Sequence, residues 1–312
     1  MLRLIILGIL SSFFFSSTWV LNRAMSLAGG HWVWTASLRY GYMLIFLSLY
    51  FVFTKRAKTL IEIVELFRQY WLFWTIAGSA GFGIFYALVS FSASYAAGWV
   101  LATTWQTTIL ATPLVLILFG KRVPSKGILL TMLIFVGIIL VNIERATLAP
   151  LTEVLLGGLP VLIAAFAYPL GSQMVWEAEQ GSSRFIPHIT HPVLENSFAR
   201  VLLLTIGSIP IWIVLILVTQ PPPPSSGQLL NTALVALFSG VIATTIFLQA
   251  RNLATNSYEI AAVDSTQSTE VIFSLLGELI FLHGGTPGLL GVLGIGLTLV
   301  SLVAYARLQT VS

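Results

Sequence analysis

Ten apolar runs follow one another along this chain of 312 residues, with mostly short connections between them. Each run has the length, about 17–25 residues, at which an α-helix crosses a bilayer core. Only 8% of the residues are charged, whereas a soluble domain has about 25%. Because helices satisfy their backbone polar groups internally in lipid, the sequence predicts an all-α polytopic membrane protein. The predicted spans are roughly 4–22, 32–53, 71–93, 99–119, 127–143, 154–176, 196–219, 231–250, 260–282 and 287–306.

The lysines and arginines predict how the chain is oriented. With a cytoplasmic N-terminus, 11 of the 15 basic residues lie on the cytoplasmic side and 2, Arg23 and Arg145, on the outer side. Arg39 and Arg200 fall inside spans. This bias places both termini in the cytoplasm, and the even number of spans agrees. The net charge of +4 is scattered near helix ends, which does not indicate a nucleic-acid partner.

Several classes of chemistry lack their residues here. The chain has no cysteine, so disulfides, thiolate metal sites and cysteine catalysis are excluded. No ATP-binding motif, no His-Glu-x-x-His motif, no Ser/His pairing at membrane depth and no carboxylate cluster with metal spacing is present. We therefore predict that the protein is not an enzyme and uses no cofactor and no bound metal.

Short matches recur at a constant separation along the chain. Arg39 in the second span precedes Arg200 in the seventh by 161 positions, and Gln106 in the fourth span precedes Gln267 in the ninth by the same 161 positions. Gln106 is followed by two threonines, and Gln267 by Ser-Thr. We call this shared separation the repeat offset. The matches predict two five-helix repeats in one membrane domain, residues 1–145 and 150–308.

An odd number of helices per repeat makes the two halves cross the membrane in opposite senses. Inverted repeats of this kind are typical of secondary transporters, whose substrate site lies near mid-membrane between the halves. The sequence therefore predicts ten transmembrane helices in two inverted five-helix repeats, with a solute site at their interface.

The most polar span is Ile260–Leu282, which carries Asp264, Glu270 and Glu278. Three mid-membrane carboxylates cost up to about 10 kcal/mol, and the strongly apolar residues of the span return only about 3–7 kcal/mol. On one continuous helix these acids and Gln267 share an arc of about 160°. That face must turn toward protein or water, so these four residues are candidates for substrate binding or proton coupling.

Glu270 lies nearest the middle of its span, where an ionisable group is a functional candidate by default. Arg39 could hold an anionic group, form an ion pair with an acid of the ninth span, or serve as a structural clamp. Gln106 could face a cavity or bond back to its own helix. Trp19 and Trp105 could form aromatic walls for a cation.

Several of these segments resemble the drug/metabolite transporter (DMT) superfamily, also called EamA-like. They are the pair Arg39-Tyr40, the helix end Gly120-Lys121-Arg122 followed by Pro124, the turn Ser92–Ala97, and the opening stretches at 11–25 and 29–40. The opening stretches resemble the ten-helix branch of multidrug-resistance efflux transporters. Lys121 stands where the superfamily usually has glutamate, and the first span lacks the acid that the small four-helix relatives carry there.

The resemblance implies a secondary active transporter that exports small organic solutes or drugs by alternating access, with protons as coupling ion. It also implies a cavity lined by the first, third, fourth, sixth, eighth and ninth spans, with Trp19, Trp105 and Gln106 facing it. The expected partners are a small-molecule substrate, protons and the bilayer of the cytoplasmic (plasma) membrane; the one protein partner considered is a second copy in a homodimer. The alternatives are an exporter of polar metabolites such as amino acids or nucleosides, and a non-transporting membrane partner protein.

Overall fold

The computed structural model of the chain describes residues 2–54, 56–120, 128–181, 183–254, 259, 263 and 266–308. These residues form helices and connections and contain no strand. In chain order the longer helices are α1 (Leu2–Leu27), α2 (Trp32–Phe53), α3 (Ala57–Gln69), α4 (Trp71–Ser92), α5 (Gly98–Leu118), α6 (Ile128–Leu148), α7 (Leu151–Gln180), α8 (Ser197–Thr219), α9 (Ser226–Arg251), α10 (Glu270–Phe281) and α11 (Leu289–Leu308).

Seven of the described helices are long and apolar enough to cross a membrane: α1, α2, α4, α5, α7, α8 and α9. Each coincides with a predicted span to within about a turn and a half of helix. Helices α6, α10 and α11 occupy the positions of the other three predicted spans. The all-helical, multi-pass architecture is therefore confirmed, whereas ten crossings, two inverted halves and cytoplasmic termini remain predictions.

The charged connection after the second span forms a helix of its own, α3. Ile63 and Leu66 are buried, while Glu62 and Glu65 are exposed. Apolar residues spaced by three put one stripe against the protein and leave the acids on the other side. A short amphipathic helix of this kind lies along a membrane surface rather than across it.

Four backbone irregularities interrupt the long helices. Helices α4 and α9 contain π-helical segments, at Ser79–Ile84 and Ala236–Ala243. Helix α5 changes to i→i+3 bonds at Gln106, whose N–H bonds the Thr103 carbonyl at 3.1 Å. A 3-10 turn at Thr266–Thr269 precedes α10.

The prediction of one continuous α-helix through residues 260–282 is therefore wrong in its backbone. A 3-10 turn at Thr266–Thr269 separates Val263, which is helical, from α10, which begins at Glu270. The predicted division into two faces nevertheless holds along α10. Ser274 and Glu278 are buried, whereas Ile272 and Leu276 are 40% and 46% exposed. Burial of the polar face against neighbouring helices removes the cost of placing it in lipid.

Small residues and a carboxylate bring the helices into close contact. A Cβ on Gly207 of α8 would collide with the backbone carbonyl of Trp74 in α4, so these two backbones touch directly. Glu144 of α6 accepts hydrogen bonds from the backbone N–H groups of Gly288 and Gly291 at 2.8 and 2.7 Å. An acid thereby satisfies the free N–H groups at the N-terminus of α11.

Helix α1 is the element around which the polar residues collect. It packs against α9, the 3-10 turn before α10, α10 itself and α5. Its buried residues include hydroxyls and an amide as well as apolar side chains, among them Ser12, Thr18 and Asn22. A membrane helix whose polar side chains are buried among other helices does not expose them to lipid, and this places the candidate site along α1.

Candidate functional site

Glu270 is buried at the first turn of α10 with 8% of its surface exposed. The indole N–H of Trp19, on α1, donates a hydrogen bond to its Oε2 atom at 3.2 Å. The side chain of Ser274 turns back to the Glu270 backbone carbonyl at 2.6 Å and does not contact the carboxyl group. The one described side chain that hydrogen-bonds this carboxyl group is therefore a neutral donor, so no described residue supplies a bonded counter-charge to an ionised Glu270.

Aromatic rings from four helices form a cluster that includes the Trp19 donor. The Trp19 and Trp105 ring centroids lie 6.3 Å apart, and Trp105 lies 4.8 Å from Phe85 and 5.7 Å from Tyr168. We call Trp19, Phe85, Trp105 and Tyr168 the aromatic cage. Tyr168 is 39% exposed and lies at the edge of this cluster. Aromatic faces next to a carboxylate suit an organic cation.

Arg39 does not contact Glu270. Its Nη1 donates to the Thr18 hydroxyl at 3.4 Å and its Nη2 to the Ser239 hydroxyl at 3.1 Å, and its guanidinium carbon lies 4.0 Å from the centre of the Tyr86 ring. No acid forms an ion pair with it among the described residues. The predicted alternative of an Arg39–Glu270 ion pair is therefore absent from this conformation.

Two glutamines and one aspartate also belong to the predicted site. The Gln106 amide donates to the Ala102 carbonyl at 3.2 Å, so it bonds back to its own helix. The Gln267 amide donates to the Ser11 hydroxyl at 3.2 Å and ties the 3-10 turn to α1. Asp264 lies outside the described residues.

Glu278, the third predicted acid, lies at the turn between α4 and α5. Its Oε2 atom accepts the backbone N–H of Trp99 at 3.3 Å, at the N-terminus of α5. Arg23 donates to the Ala93 carbonyl at 3.0 Å, at the C-terminus of α4. Arg145 donates to the Tyr95 carbonyl in the same turn. Each helix end thus meets a charge of the opposite sign to its dipole.

One further region is less suited to a solute. A recess of about 950 Å³ opens between α2, α3 and the facing ends of α8 and α9, and its lining mixes Arg56 and Arg200 with Glu62 and Glu195. Arg200 is also occupied, because it pairs with Glu179 at 3.3 Å. Within the part of the chain that the structure describes, no group of three potential metal ligands occurs.

Sequence reasoning missed several members of this site. Phe85 and Tyr168 lie on apolar helix faces, and no charge or motif marks them in the sequence. Thr18 and Ser239, which hold Arg39, lie 221 residues apart and meet only through helix packing. The position of Thr18 directly before Trp19 was the one available signal.

The fold and the site together define a multi-pass helical membrane protein with buried charged groups between its helices. The chain belongs to the EmrE family, described as "Putative multidrug resistance efflux transporter", whose model matches residues 2–311. Since this is a family of transporters, membership implies that the chain is not an enzyme.

Two curated bacterial proteins are similar to the chain. "Uncharacterized protein YjlA" of Bacillus subtilis (strain 168) is 34% identical over 320 residues, covering 97% of this chain and 94% of that protein. The "Uncharacterized 42.1 kDa protein in intracellular alkaline protease 3'region" of Shouchella clausii is 34% identical over 261 residues, covering 80% and 65%. One solved crystal structure matches with a TM-score of 0.61 at 13% identity and covers 98% of this chain and 96% of that one, which supports the fold alone.

Proposed function

We propose that this protein is a secondary active transporter that exports small organic solutes or drugs across the cytoplasmic membrane in exchange for protons. The observation that carries the proposal is the buried carboxyl group of Glu270, which receives a hydrogen bond from Trp19 inside the aromatic cage. The family supports transport as the activity. Export, proton coupling and the class of solute are the proposal.

Competition between a proton and a cationic solute for the Glu270 carboxyl group couples the transport of the two. A charged group costs several kcal/mol when it is taken out of water without a counter-charge. Glu270 can therefore be enclosed at low cost when it carries a proton or when a cation lies against it, but not when it is ionised and alone. The empty, ionised carrier then cannot reorient, and each turnover exchanges a proton for a cationic group.

The backbone irregularities support two inverted halves. The π-helical segment at Ala236–Ala243 in α9, moved back by the repeat offset, overlaps the segment at Ser79–Ile84 in α4. The 3-10 turn at Thr266–Thr269 likewise falls on the break at Gln106–Thr107 in α5. Irregular helical turns at matching places in two repeats are typical of transporter binding sites.

Several of the helix contacts are consistent with the same symmetry. The counterparts of α1, α2, α4, α5 and α6 in the second half are α7, α8, α9, α10 and α11. When each helix is exchanged for its counterpart, the contact α1–α10 becomes α7–α5, and the contact α2–α9 becomes α8–α4. The contacts α2–α8 and α6–α11 map onto themselves. All of these contacts occur. This agreement supports alternating access by rocking one half against the other, with the site on the axis between them.

The cluster of Arg23, Arg145 and Glu278 is the proposed outer seal. It joins α1, α6 and α10 to the turn between α4 and α5, at the end of the bundle that the charge bias places outside. In the alternating-access cycle this cluster must open when the solute is released. A carboxylate and two arginines bound to helix ends can separate into water, where each of them is solvated.

The decisive experiment replaces Glu270 by glutamine in proteoliposomes with an imposed pH gradient. We expect Glu270→Gln to fold and to lose proton-driven uptake of organic cations, because the amide cannot exchange a proton. Glu270→Asp should keep part of the activity. The matched control is Glu177→Gln, which changes another buried glutamate, on α7, that bonds Gln173 instead of the cage. A stable Glu270→Gln protein with full proton-driven uptake would refute the proposal.

The proposed topology has its own test. The chain has no cysteine, so single cysteines can be labelled without background. A cysteine at Gly285, where a Cβ meets nothing within 4 Å, should react with a membrane-impermeant thiol reagent from outside intact cells. A cysteine at Ala57, exposed at the start of α3, should react only after permeabilisation. The opposite pattern would reverse the orientation of both termini.

A further inference from the structure

Arg39 carries a buried charge that, among the described residues, is held by neutral groups. It is 8% exposed on α2. The two hydroxyls that it contacts also bond each other, with Thr18 donating to Ser239 at 2.8 Å. Its third partner is the face of the Tyr86 ring. Its Nε atom has no hydrogen-bond partner in the part of the chain that the structure describes.

Several other buried polar atoms on the helices that surround Arg39 lack a partner among the described residues, and two of them, on Asn22 and Ser90, lie one helical turn from a group that touches Arg39. Asn22 accepts a hydrogen bond from the Tyr86 hydroxyl at 3.1 Å, but its own Nδ2 atom has no partner although the residue is 2% exposed. The hydroxyl of Ser90, also 2% exposed, has none. Asn22 is one turn beyond Thr18 on α1, and Ser90 is one turn beyond Tyr86 on α4, so each shares a helix face with a group that touches Arg39.

These atoms share one chemical property. Arg39 Nε and Asn22 Nδ2 can only donate hydrogen bonds, and the Ser90 hydroxyl can donate one. A buried donor without an acceptor costs free energy, and a buried cation without an anion costs more. The group that would satisfy all three is an anion with several acceptor oxygens, such as a carboxylate.

We propose that the transported solute is zwitterionic, with a carboxylate or similar anionic group bound by Arg39, Asn22 and Ser90 and an amine bound by Glu270 in the aromatic cage. The two sites are adjacent on α1, because Thr18 contacts Arg39 and the next residue, Trp19, contacts Glu270. The proposal requires one compact solute to reach both. This inference rests on the proposed transport function and narrows its substrate to amino-acid-like molecules.

Binding of matched probes to the purified protein tests the idea directly. Glycine, phenylalanine and tryptophan are each compared with the amine that lacks the carboxyl group and with the acid that lacks the amino group. Calorimetry in detergent gives each dissociation constant. We expect at least one amino acid to bind about ten- to a hundredfold more tightly than its amine, the range of a charge-assisted hydrogen bond.

Variants assign that preference to the cluster. Arg39→Gln should abolish the difference between amino acid and amine while the amine still binds. The matched control is Arg200→Gln, at the position that corresponds to Arg39 in the second repeat. It should leave the difference intact, because Arg200 forms an ion pair with Glu179. If Arg39→Gln does not fold, Ser90→Ala serves instead; its hydroxyl makes no hydrogen bond to another described residue, and its loss should weaken only the amino acid, by about threefold to tenfold.

The outcomes separate this inference from the transport proposal. If the amines bind as tightly as the amino acids, or if neither Arg39→Gln nor Ser90→Ala changes the preference, Arg39 is a structural clamp and the inference is wrong. Proton-driven uptake of the amines in proteoliposomes would then still support export of cations. If no amino acid of the panel binds, the inference is also wrong, and absence of proton-driven uptake for every probe would defeat both proposals.

Discussion

Removal of the Glu278 carboxylate should loosen the turn between α4 and α5. The carboxylate accepts the Trp99 backbone N–H at 3.3 Å and so caps the N-terminus of α5. Loss of a capping acceptor costs about 1–2 kcal/mol. Loss of the negative charge beside a helix N-terminus and two arginines adds about 1–2 kcal/mol. Glu278→Ala should therefore lower the free energy of unfolding by about 2–4 kcal/mol.

Glu278→Gln separates the two contributions. The amide oxygen can still accept the N–H of Trp99, so only the charge contribution, about 1–2 kcal/mol, is lost. At about 2 °C per kcal/mol for a chain of this size, the melting temperature should fall by roughly 4–8 °C for alanine and 2–4 °C for glutamine. Thermal denaturation of the purified protein in detergent, followed by tryptophan fluorescence, measures both. Glu65→Gln, on the exposed face of α3, is the control.

The same variants test whether this cluster is a seal. A single cysteine at Ser94, in the turn that Arg23 holds, should react faster with an impermeant thiol reagent when Glu278 is alanine. The expected order of labelling rates is alanine above glutamine above wild type. The reasoning is refuted if Glu278→Ala melts within about 1 °C of wild type, or if alanine and glutamine have identical effects on melting and labelling.

Three further predictions follow from single contacts. Trp19→Phe removes the donor to Glu270 and should lower proton-driven uptake about tenfold, for about 1.5 kcal/mol, while the protein still folds. Gly207→Ala places a Cβ against a backbone carbonyl of α4 and should cost about 1–3 kcal/mol in thermal denaturation, whereas Gly296→Ala, with open space around it, should not. Burial lowers the pKa of His31, which caps α2 in its neutral form. The folded state therefore binds fewer protons than the unfolded chain, so the free energy of unfolding should decrease below about pH 6.5. This decrease should be smaller in His31→Asn.

The sequence predicted the helices well because a chain in lipid must satisfy its backbone polar groups internally, which few structures other than a helix can do. A run of about 20 apolar residues must be helical in a bilayer, and seven described spans match their predicted positions. It also predicted which side of the ninth span is buried, since exposed carboxylates would be too costly. The sequence did not predict the 3-10 turn before Glu270, which changes the angular position of Gln267. The turn contains no glycine or proline that would have indicated it.

The partners of the site residues were not predictable in the same way. The sequence offered Arg39 as a partner of Glu270 by charge alone, yet Arg39 bonds Thr18 and Ser239, and Glu270 bonds Trp19. Which side chains meet is decided by how helices rotate and cross, and crossing depends on contacts between small residues far apart in sequence. A single sequence contains these residues without recording which of them touch.

Four of the buried charged residues that the structure describes fall into two kinds, and the difference indicates where a ligand binds. Glu144 and Glu278 contact the N-termini of α11 and α5, whose free N–H groups and helix dipoles compensate each carboxylate. Among the described residues, Glu270 and Arg39 are held by an indole, hydroxyls and an aromatic face, which are neutral groups and do not compensate a charge. A solute with charged groups can supply what those neutral partners lack, but it can add little at a helix end that is already satisfied. By this reasoning, neutralising Glu144 should reduce stability without altering which solutes bind, whereas neutralising Arg39 should alter the choice of solute at a smaller cost in stability.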